Sequence, residues 1–134
     1  MTITRIEKPY NRPNGLRVLI CGGRKFNDAM TFGSWVGGVM KTYGISAIIE
    51  GGASGADFMA SEFGRWAGVP VVTYPADWKQ HGRAAGPIRN QHMIDDGRPD
   101  LVLAFDGGRG TADMIGRAEK AGIRVMRCTK VTIQ

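Results

Sequence analysis

Cysteine is scarce in this 134-residue chain, which contains only Cys21 and Cys128. Two thiols are too few for a disulfide scaffold or a zinc site, and each lies in an apolar run typical of a buried strand. The apolar runs are far shorter than the roughly 20 residues that a membrane span needs, and no charged-then-apolar leader opens the chain. We therefore expect a cytoplasmic protein with reduced core thiols, no metal, no cofactor and no membrane partner.

Acidic residues are also few, because 12 Asp and Glu stand against 18 Lys and Arg, a formal net charge of +6. Twelve of those cations are Arg, which favours planar recognition of phosphate or carboxylate. The charge suits a nucleic acid, a nucleotide or only a soluble surface, and says nothing about the fold. The length and the 43% hydrophobic content are typical of one compact domain and exclude disordered, collagen-like and coiled-coil chains.

Short β-rich runs alternate with helical stripes after an N-terminal arm, residues 1–16, that is polar and has no period. The predicted strands are 16–21, 45–49, 69–74, 100–105 and 123–128. The predicted helices are 28–43, 56–67, one opened by Pro87 at its first position and ending near Asp96, and 111–121. Residues 75–86 show no clear period and are predicted to form a long loop.

This alternation implies right-handed crossovers and a parallel sheet covered on both faces. We predict an α/β fold: residues 17–134 form a single Rossmann-like three-layer domain with a parallel sheet of about five strands. In the usual strand order, 3-2-1-4-5, the chain reverses direction between strands one and four. The loops after those strands would then flank a ligand-binding crevice.

Glycine pairs end the three strands that would surround this crevice. Glycine lets backbone N–H groups approach an anion and adopt positive φ, and a following helix N-terminus adds partial positive charge. Ser54 and Thr111 could bind a phosphate oxygen or cap their helices. No P-loop and no full GxGxxG is present, so a Walker-type NTPase is not predicted. The predicted ligand-binding residues at these turns are Gly22, Gly23, Arg24, Gly51, Gly52, Ser54, Gly55, Asp57, Asp106, Gly107, Gly108, Arg109, Gly110 and Thr111.

Three segments in order resemble the SLOG superfamily: GGASGAD before a helix, a Trp-containing loop leading into GPIRN, and FDGGRGTADM followed by AGIRV. Within it the chain looks most like the YspA-type branch, small Rossmann-like proteins of bacteria and phages. Related families include the lonely-guy phosphoribohydrolases, which cleave the N-glycosidic bond of nucleoside monophosphates, and DprA, which binds single-stranded DNA. Other members are proposed sensors of NAD-derived or other nucleotide signals. The resemblance implies a nucleotide-like ligand on the glycine loops.

The phosphoribohydrolase motif, PGGxGTxxE, is altered in this chain. Asp106 replaces its Pro and Met114 replaces its catalytic Glu, so the hydrolytic mechanism does not carry over unchanged. Asp113, one residue earlier, could face the crevice as a substitute catalytic group or merely favour the helix dipole. The resemblance also assigns a functional role to Arg89 in GPIRN, beside Asn90. Because an Arg in the first turn of a helix opposes the dipole, phosphate or carboxylate recognition by Arg89 is the preferred interpretation.

The segment before GPIRN places a Trp among cations. Trp78 could stack on a base while Arg83 meets phosphate, or Trp78 could fold back onto the sheet edge with the charges solvated. Asp57 could accept a ribose hydroxyl or fix its loop by bonding backbone N–H groups. His81 has no partner at a spacing that suggests a metal site or a nucleophilic triad.

Three functions fit these residues. The preferred one is a protein that binds a small nucleotide-derived ligand, related to ADP-ribose or NAD or a nucleoside monophosphate, as a sensor, sequestering protein or carrier. The second is a hydrolase of N-glycosidic or phosphate bonds. The third, a single-stranded nucleic-acid binder, is less favoured because the cations are scattered and no aromatic series is spaced for successive bases. The broad apolar stripe of the first helix could also mediate the formation of a homo-oligomer.

Overall fold

Five short apolar segments form one parallel sheet in the computed structural model, which describes residues 15–132. The strands are β1 (Leu16–Cys21), β2 (Ile45–Glu50), β3 (Val71–Thr73), β4 (Leu101–Ala104) and β5 (Arg124–Arg127). Their order is β3-β2-β1-β4-β5, and every neighbouring pair is parallel. This is the usual order assumed in the sequence analysis, and the switch in direction falls between β1 and β4.

The helices start and end at local signals in the sequence. They are α1 (Ala29–Tyr43), α2 (Ala56–Ala67), α3 (Trp78–His81), α4 (Ala85–Asp95) and α5 (Arg109–Lys120). The Asp28 carboxylate caps α1 by accepting from the N–H of Thr31, and Gly68 ends α2 in the left-handed conformation. None of the helices within residues 15–132 is long and apolar enough to span a membrane.

Alternation along the strands divides the core into two layers. Val18 and Ile20 of β1 pack with α1 and α2 on one face, whereas Leu19 and Cys21 pack with α4 and α5 on the other. Both cysteines are buried free thiols, as expected. The domain is thus the predicted three-layer α/β fold, while residues 1–14 of the predicted arm lie outside the described residues.

The prediction of a long loop over residues 75–86 is wrong. The Asp77 carboxylate accepts from the N–H of Gln80 at 3.1 Å and starts α3, and a 3-10 turn over Gly82–Ala84 joins it to α4. Such short helices show no period because each spans little more than one turn. Helix α4 begins at Ala85, two residues before Pro87, so Pro87 is not its first residue. Strand β3 is shorter than predicted because the Val69 N–H donates to Gly64 in α2 and Pro70 has no N–H to donate to the ladder.

Candidate functional site

A cavity of about 640 Å³ opens at the C-terminal edge of the sheet, beside the β1–β4 switch point, with α4 and α5 on its sides. We call it the main cavity. The predicted site residues that line it are Gly22, Gly23, Arg24, Asp57, Trp78, Arg83, Arg89, Asn90, Gly108, Arg109, Gly110, Thr111 and Asp113. Six further residues line the main cavity but were not predicted from the sequence: Cys21, Ala53, Gly86, Pro87, Met93 and Met114. Their small or apolar side chains carry no signal of ligand binding.

Part of the predicted site lies outside the main cavity. These residues are Gly51, Gly52, Ser54, Gly55, Asp106 and Gly107. The Ser54 hydroxyl donates to the backbone carbonyl of Arg24 at 3.1 Å, and Gly55 rather than Ser54 is the N-cap of α2. The expected helix cap by Ser54 is therefore wrong, because its hydroxyl joins two loops instead.

Several of the glycines serve close packing between the loops. A Cβ at Gly107 would come within 2.7 Å of the Gly23 nitrogen, and one at Gly22 within 2.7 Å of the Ala56 Cβ. Gly55 has a φ of +74° and faces the backbone of Gly23 and Arg24. Backbone atoms have little freedom to withdraw, so these positions need glycine for the fold itself.

Gly108 and Gly110 differ from the other glycines because an added Cβ would meet no atom within 4 Å at either position. Gly108 is the N-cap of α5 and carries no side-chain cap, and its φ of −105° is not the positive φ expected for this turn. Thr111 lies within α5 and does not cap it. The first N–H groups of α5 lack helical acceptors, and Gly108, Gly110 and Thr111 line the main cavity, where an anion could bind these groups.

Arg89 lies in the second turn of α4, beyond the first turn that the sequence suggested. Its Nη1 donates to the backbone carbonyls of Gly51 at 2.5 Å and Tyr74 at 3.4 Å, and its Nε donates to the Asn90 Oδ1 at 3.0 Å. A Cβ at Gly51 would come within 2.8 Å of the Arg89 Cζ, so that glycine admits the guanidinium. Arg89 therefore ties α4 to the ends of β2 and β3 while also lining the main cavity.

Asp113 is held from two sides. Asn90 Nδ2 donates to the Asp113 Oδ2 at 3.0 Å, and the Arg117 Nε donates to the same oxygen at 2.8 Å. Partial burial pushes the pKa of Asp113 upward, but the bonds from Arg117 and Asn90 outweigh it and hold the pKa below its ordinary value. Asp113 is thus an ionised carboxylate that joins α4 to α5 and has no proton to give.

Asp57 is the buried carboxyl of the main cavity. Its Oδ2 accepts from the N–H of Ala53 at 3.2 Å, which is the loop-fixing contact weighed from the sequence. Burial raises the pKa of Asp57 to about 6, the negative charge of Glu50 adds to this, and the Ala53 N–H and Arg89 partly offset it. Its carboxyl group therefore titrates close to neutral pH.

Trp78 stands at the entrance of the main cavity with 49% of its surface exposed. The Arg24 guanidinium lies over its ring, 5.4 Å from the centroid, in a cation–π contact. Arg83 and Arg109 line the same cavity, so four arginines including Arg89 surround two carboxylates. With half of its surface exposed, the ring lies at the cavity and not in the hydrophobic core.

Comparison with known proteins identifies the family. The sequence pattern of the YspA, cpYpsA-related SLOG family matches residues 16–81. A protein of Mycobacterium phage D29 named Gene 61 protein is 38% identical over 122 residues, which cover 82% of this chain and 94% of the relative. The chain belongs to the YspA, cpYpsA-related SLOG family. The family match holds the β1 turn, the GGASGAD turn and Trp78, whereas Arg89 and the α5 turn lie beyond it.

Arg89 in this SLOG protein should contribute to both stability and binding. We expect Arg89→Ala to lower the free energy of unfolding by about 1–3 kcal/mol, because the Gly51 carbonyl loses its donor. Nucleotide affinity should fall by about 1.5–3 kcal/mol, and Arg89→Lys should recover only part of each loss. Urea unfolding and calorimetry measure the two effects, with the exposed Arg65→Ala on α2 as the control. Unchanged nucleotide affinity in a folded Arg89→Ala protein would remove Arg89 from the site.

Proposed function

We propose that this SLOG protein binds a nucleotide or nucleotide derivative in the main cavity, as a sensor, a sequestering protein or a carrier. The ligand is related to ADP-ribose or NAD, or is a nucleoside monophosphate. One observation carries the proposal: the uncapped N-terminus of α5 opens into the same cavity as the Trp78 ring and four arginines. A cavity of about 640 Å³ is of the size that small ligands fill.

The contacts suggest an arrangement for such a ligand. A phosphate at Gly108 and Gly110 would accept from the first N–H groups of α5 and lie within reach of arginine side chains at the cavity wall. The base would stack on Trp78 in place of the Arg24 guanidinium. Asp57, deeper in the cavity, would accept a hydrogen bond from a ribose hydroxyl.

Calorimetric titration with AMP, ADP, ADP-ribose and NAD tests the proposal. We expect at least one of them to bind in the micromolar range, and native mass spectrometry of protein purified from cells should show a bound nucleotide. Single-stranded DNA is the discriminating competitor. A DNA strand that contacts several phosphates would lose affinity with a slope near −0.7 per phosphate in a plot of log affinity against log salt. A mononucleotide in a cavity should respond only weakly to salt. Tight, steeply salt-dependent DNA binding that nucleotides do not displace would contradict the proposal.

Among the described residues that line the main cavity, Trp78 is the one aromatic residue. A strand of nucleic acid needs several such platforms for successive bases, so this lining favours a single nucleotide unit. The small-ligand proposal is therefore preferred over the nucleic-acid alternative.

A hydrolase remains the second candidate because of Asp57, not because of Asp113. Asp57 has a pKa of about 6 and lines the main cavity, as a general base or acid requires, whereas Asp113 is held ionised by Arg117 and Asn90. Met114, buried at the cavity wall, stands where the phosphoribohydrolase motif has its catalytic Glu and can serve in neither role.

Because Met114 stands in place of the catalytic Glu, we expect little or no turnover of nucleoside monophosphates, NAD or ADP-ribose. Loss of an acid–base group costs roughly 10²- to 10⁴-fold in rate. Chromatography of each compound after incubation with the protein measures this. Robust turnover that Asp57→Asn abolishes and Asp113→Asn spares would make the protein an enzyme that uses Asp57.

A further inference from the structure

The outer face of α2 carries exposed aromatic side chains. Trp66 is 82% exposed and Phe58 is 59% exposed, which makes Trp66 the most exposed large hydrophobic residue of the part of the chain that the structure describes. Glu62 and Arg65, both exposed, lie between them in the sequence. At about 100° per residue, the four side chains fall within about 100° of one another around the helix and share one face. We call this set the α2 face: Phe58, Glu62, Arg65 and Trp66.

The opposite side of α2 packs on the sheet. Ala56, Ala60 and Gly64 are buried there at intervals of four residues, so the α2 face points away from the sheet. The sequence suggested a homo-oligomer through the apolar stripe of α1 instead. Most of that stripe is buried within the chain itself: Phe32, Trp35, Val36 and Val39. The surface that is open to self-association is therefore on α2 and not on α1.

A shallow pocket of about 370 Å³ adjoins the Phe58 end of α2. Phe26, Phe58 and Met59 give it apolar walls, and Lys25 adds a positive charge. An apolar pocket beside a cation suits an aromatic ring with an electron-rich face. Trp66 is such a ring, but it lies about 12 Å further along the same helix and cannot reach the pocket of its own chain. The Trp66 of a second copy can.

The α2 face is self-complementary under a twofold rotation. Phe58 and Trp66 are each four residues from Glu62, so two α2 helices that pair antiparallel about an axis at Glu62 place each Trp66 opposite the other copy's Phe58. The same pairing brings the Glu62 of each copy within one turn of the Arg65 of the other. Shape and charge therefore match in a single arrangement.

The charges of the α2 face favour a second copy of this chain as the occupant. Within one chain the Arg65 Nη1 lies 2.7 Å from the Glu62 Oε1, but an exposed pair of this kind contributes little to stability, so both side chains are free to turn to a partner. The face has no net charge, whereas the chain carries +6. Two copies can therefore meet at this face without the repulsion that the rest of the basic surface would cause.

We propose that two copies of this chain form a homodimer through the α2 face, with the Trp66 of each copy seated against Phe58 in the pocket of the other. This interface goes beyond the proposed function, because no ligand takes part in it. The 12 residues of α2 are about 18 Å long, so the face is smaller than the roughly 800 Å² per partner of a standard interface. The dimer should therefore dissociate in the micromolar range.

Sedimentation velocity of the full chain between about 1 and 200 µM tests the inference. We expect the parent to change from monomer to dimer over this range. Trp66→Ala should raise the dissociation constant at least about 30-fold, because each copy loses an aromatic side chain that is buried at the interface. Ile88→Ala, which shortens an exposed apolar side chain on α4, is the matched control and should leave the dissociation constant unchanged. Circular dichroism verifies that each variant is folded.

Reversal of single charges tests the antiparallel arrangement. Glu62→Arg leaves two positive charges on the α2 face and Arg65→Glu leaves two negative charges, so each variant alone should be monomeric. Mixed in equal amounts, the two variants should form a heterodimer, because each positive charge of one chain then faces a negative charge of the other. A dimer that forms only on mixing cannot result from a change in the folding of either chain.

Three results would overturn the inference. In the first, the parent stays monomeric up to about 200 µM, which means that a second copy does not occupy the α2 face. In the second, Trp66→Ala dimerises as well as the parent, which places the interface elsewhere. In the third, the mixture of the two charge-reversal variants stays monomeric although the parent dimerises, which excludes the antiparallel pairing. None of these results affects the proposed nucleotide binding, which calorimetry tests separately.

Discussion

Gly108→Val should abolish nucleotide binding while the protein stays folded. The valine side chain would occupy the open space at the start of α5, where no protein atom lies within 4 Å of the added Cβ, and would exclude a phosphate from the first N–H groups. Loss of about two charge-assisted hydrogen bonds costs roughly 3 kcal/mol, or about 100-fold in affinity. Calorimetry with the best-binding nucleotide measures the effect.

Gly107→Ala is the matched control, one residue away. Its Cβ would lie 2.7 Å from the Gly23 nitrogen and 3.0 Å from the Gly22 carbonyl carbon, so the loops after β1 and β4 would have to separate. We expect a loss of about 1–3 kcal/mol in the free energy of unfolding, whereas Gly108→Val should lose only the N-cap preference for glycine, about 1 kcal/mol or less. Unchanged nucleotide affinity in folded Gly108→Val would show that the α5 turn is not the phosphate site.

Asp57→Asn should raise the stability of the protein at neutral pH. In the folded protein the pKa of Asp57 is about 6, above its ordinary value of 3.8, so the folded state binds the proton more tightly than the unfolded state. The stability from Asp57 is therefore complete below about pH 4 and is lost as the pH rises through 6. The loss amounts to about 3 kcal/mol. Asparagine keeps an acceptor for Ala53 without a charge to bury.

Urea unfolding at pH 4, 5, 6 and 7 measures the free energy of unfolding of parent and variant. The variant should gain on the parent progressively between pH 4 and 6, and the gain should level off above that range. Asp95→Asn on α4 reports the general effect of removing one exposed negative charge. Parallel pH profiles of Asp57→Asn and the parent would mean that Asp57 is not perturbed by its surroundings.

The succession of strands and helices along the chain follows from the sequence because most elements carry their own signal, whereas their order in the sheet was assumed from the usual topology. The central strands are continuous apolar runs, α1 is capped by Asp28, and both α1 and α2 end at a glycine. Helix α3 has one turn and therefore no period, so only the Asp77 cap marked it.

The sequence predicts the site only in part, because it does not distinguish a glycine that leaves room for a ligand from one that packs against a neighbouring loop. Gly107 and Gly108 are adjacent in the chain, yet one packs against Gly23 and the other faces open space. The hydrogen bond from Arg89 to the Gly51 carbonyl joins residues that are distant in the chain and therefore depends on the tertiary fold. Lys25 and Lys130, which lie far apart in the chain, likewise line one cavity only because the fold places them there.

The two outer strands of the sheet are short and poorly suited to pairing with another chain. Strand β3 has three residues with Pro70 and Pro75 on either side, and proline lacks the N–H that an added strand would need. Strand β5 has four residues and begins and ends with Arg124 and Arg127, whose like charges repel a second copy of the same edge. Both edges of the sheet therefore resist strand-to-strand association, which protects the folded chain against edge-mediated aggregation.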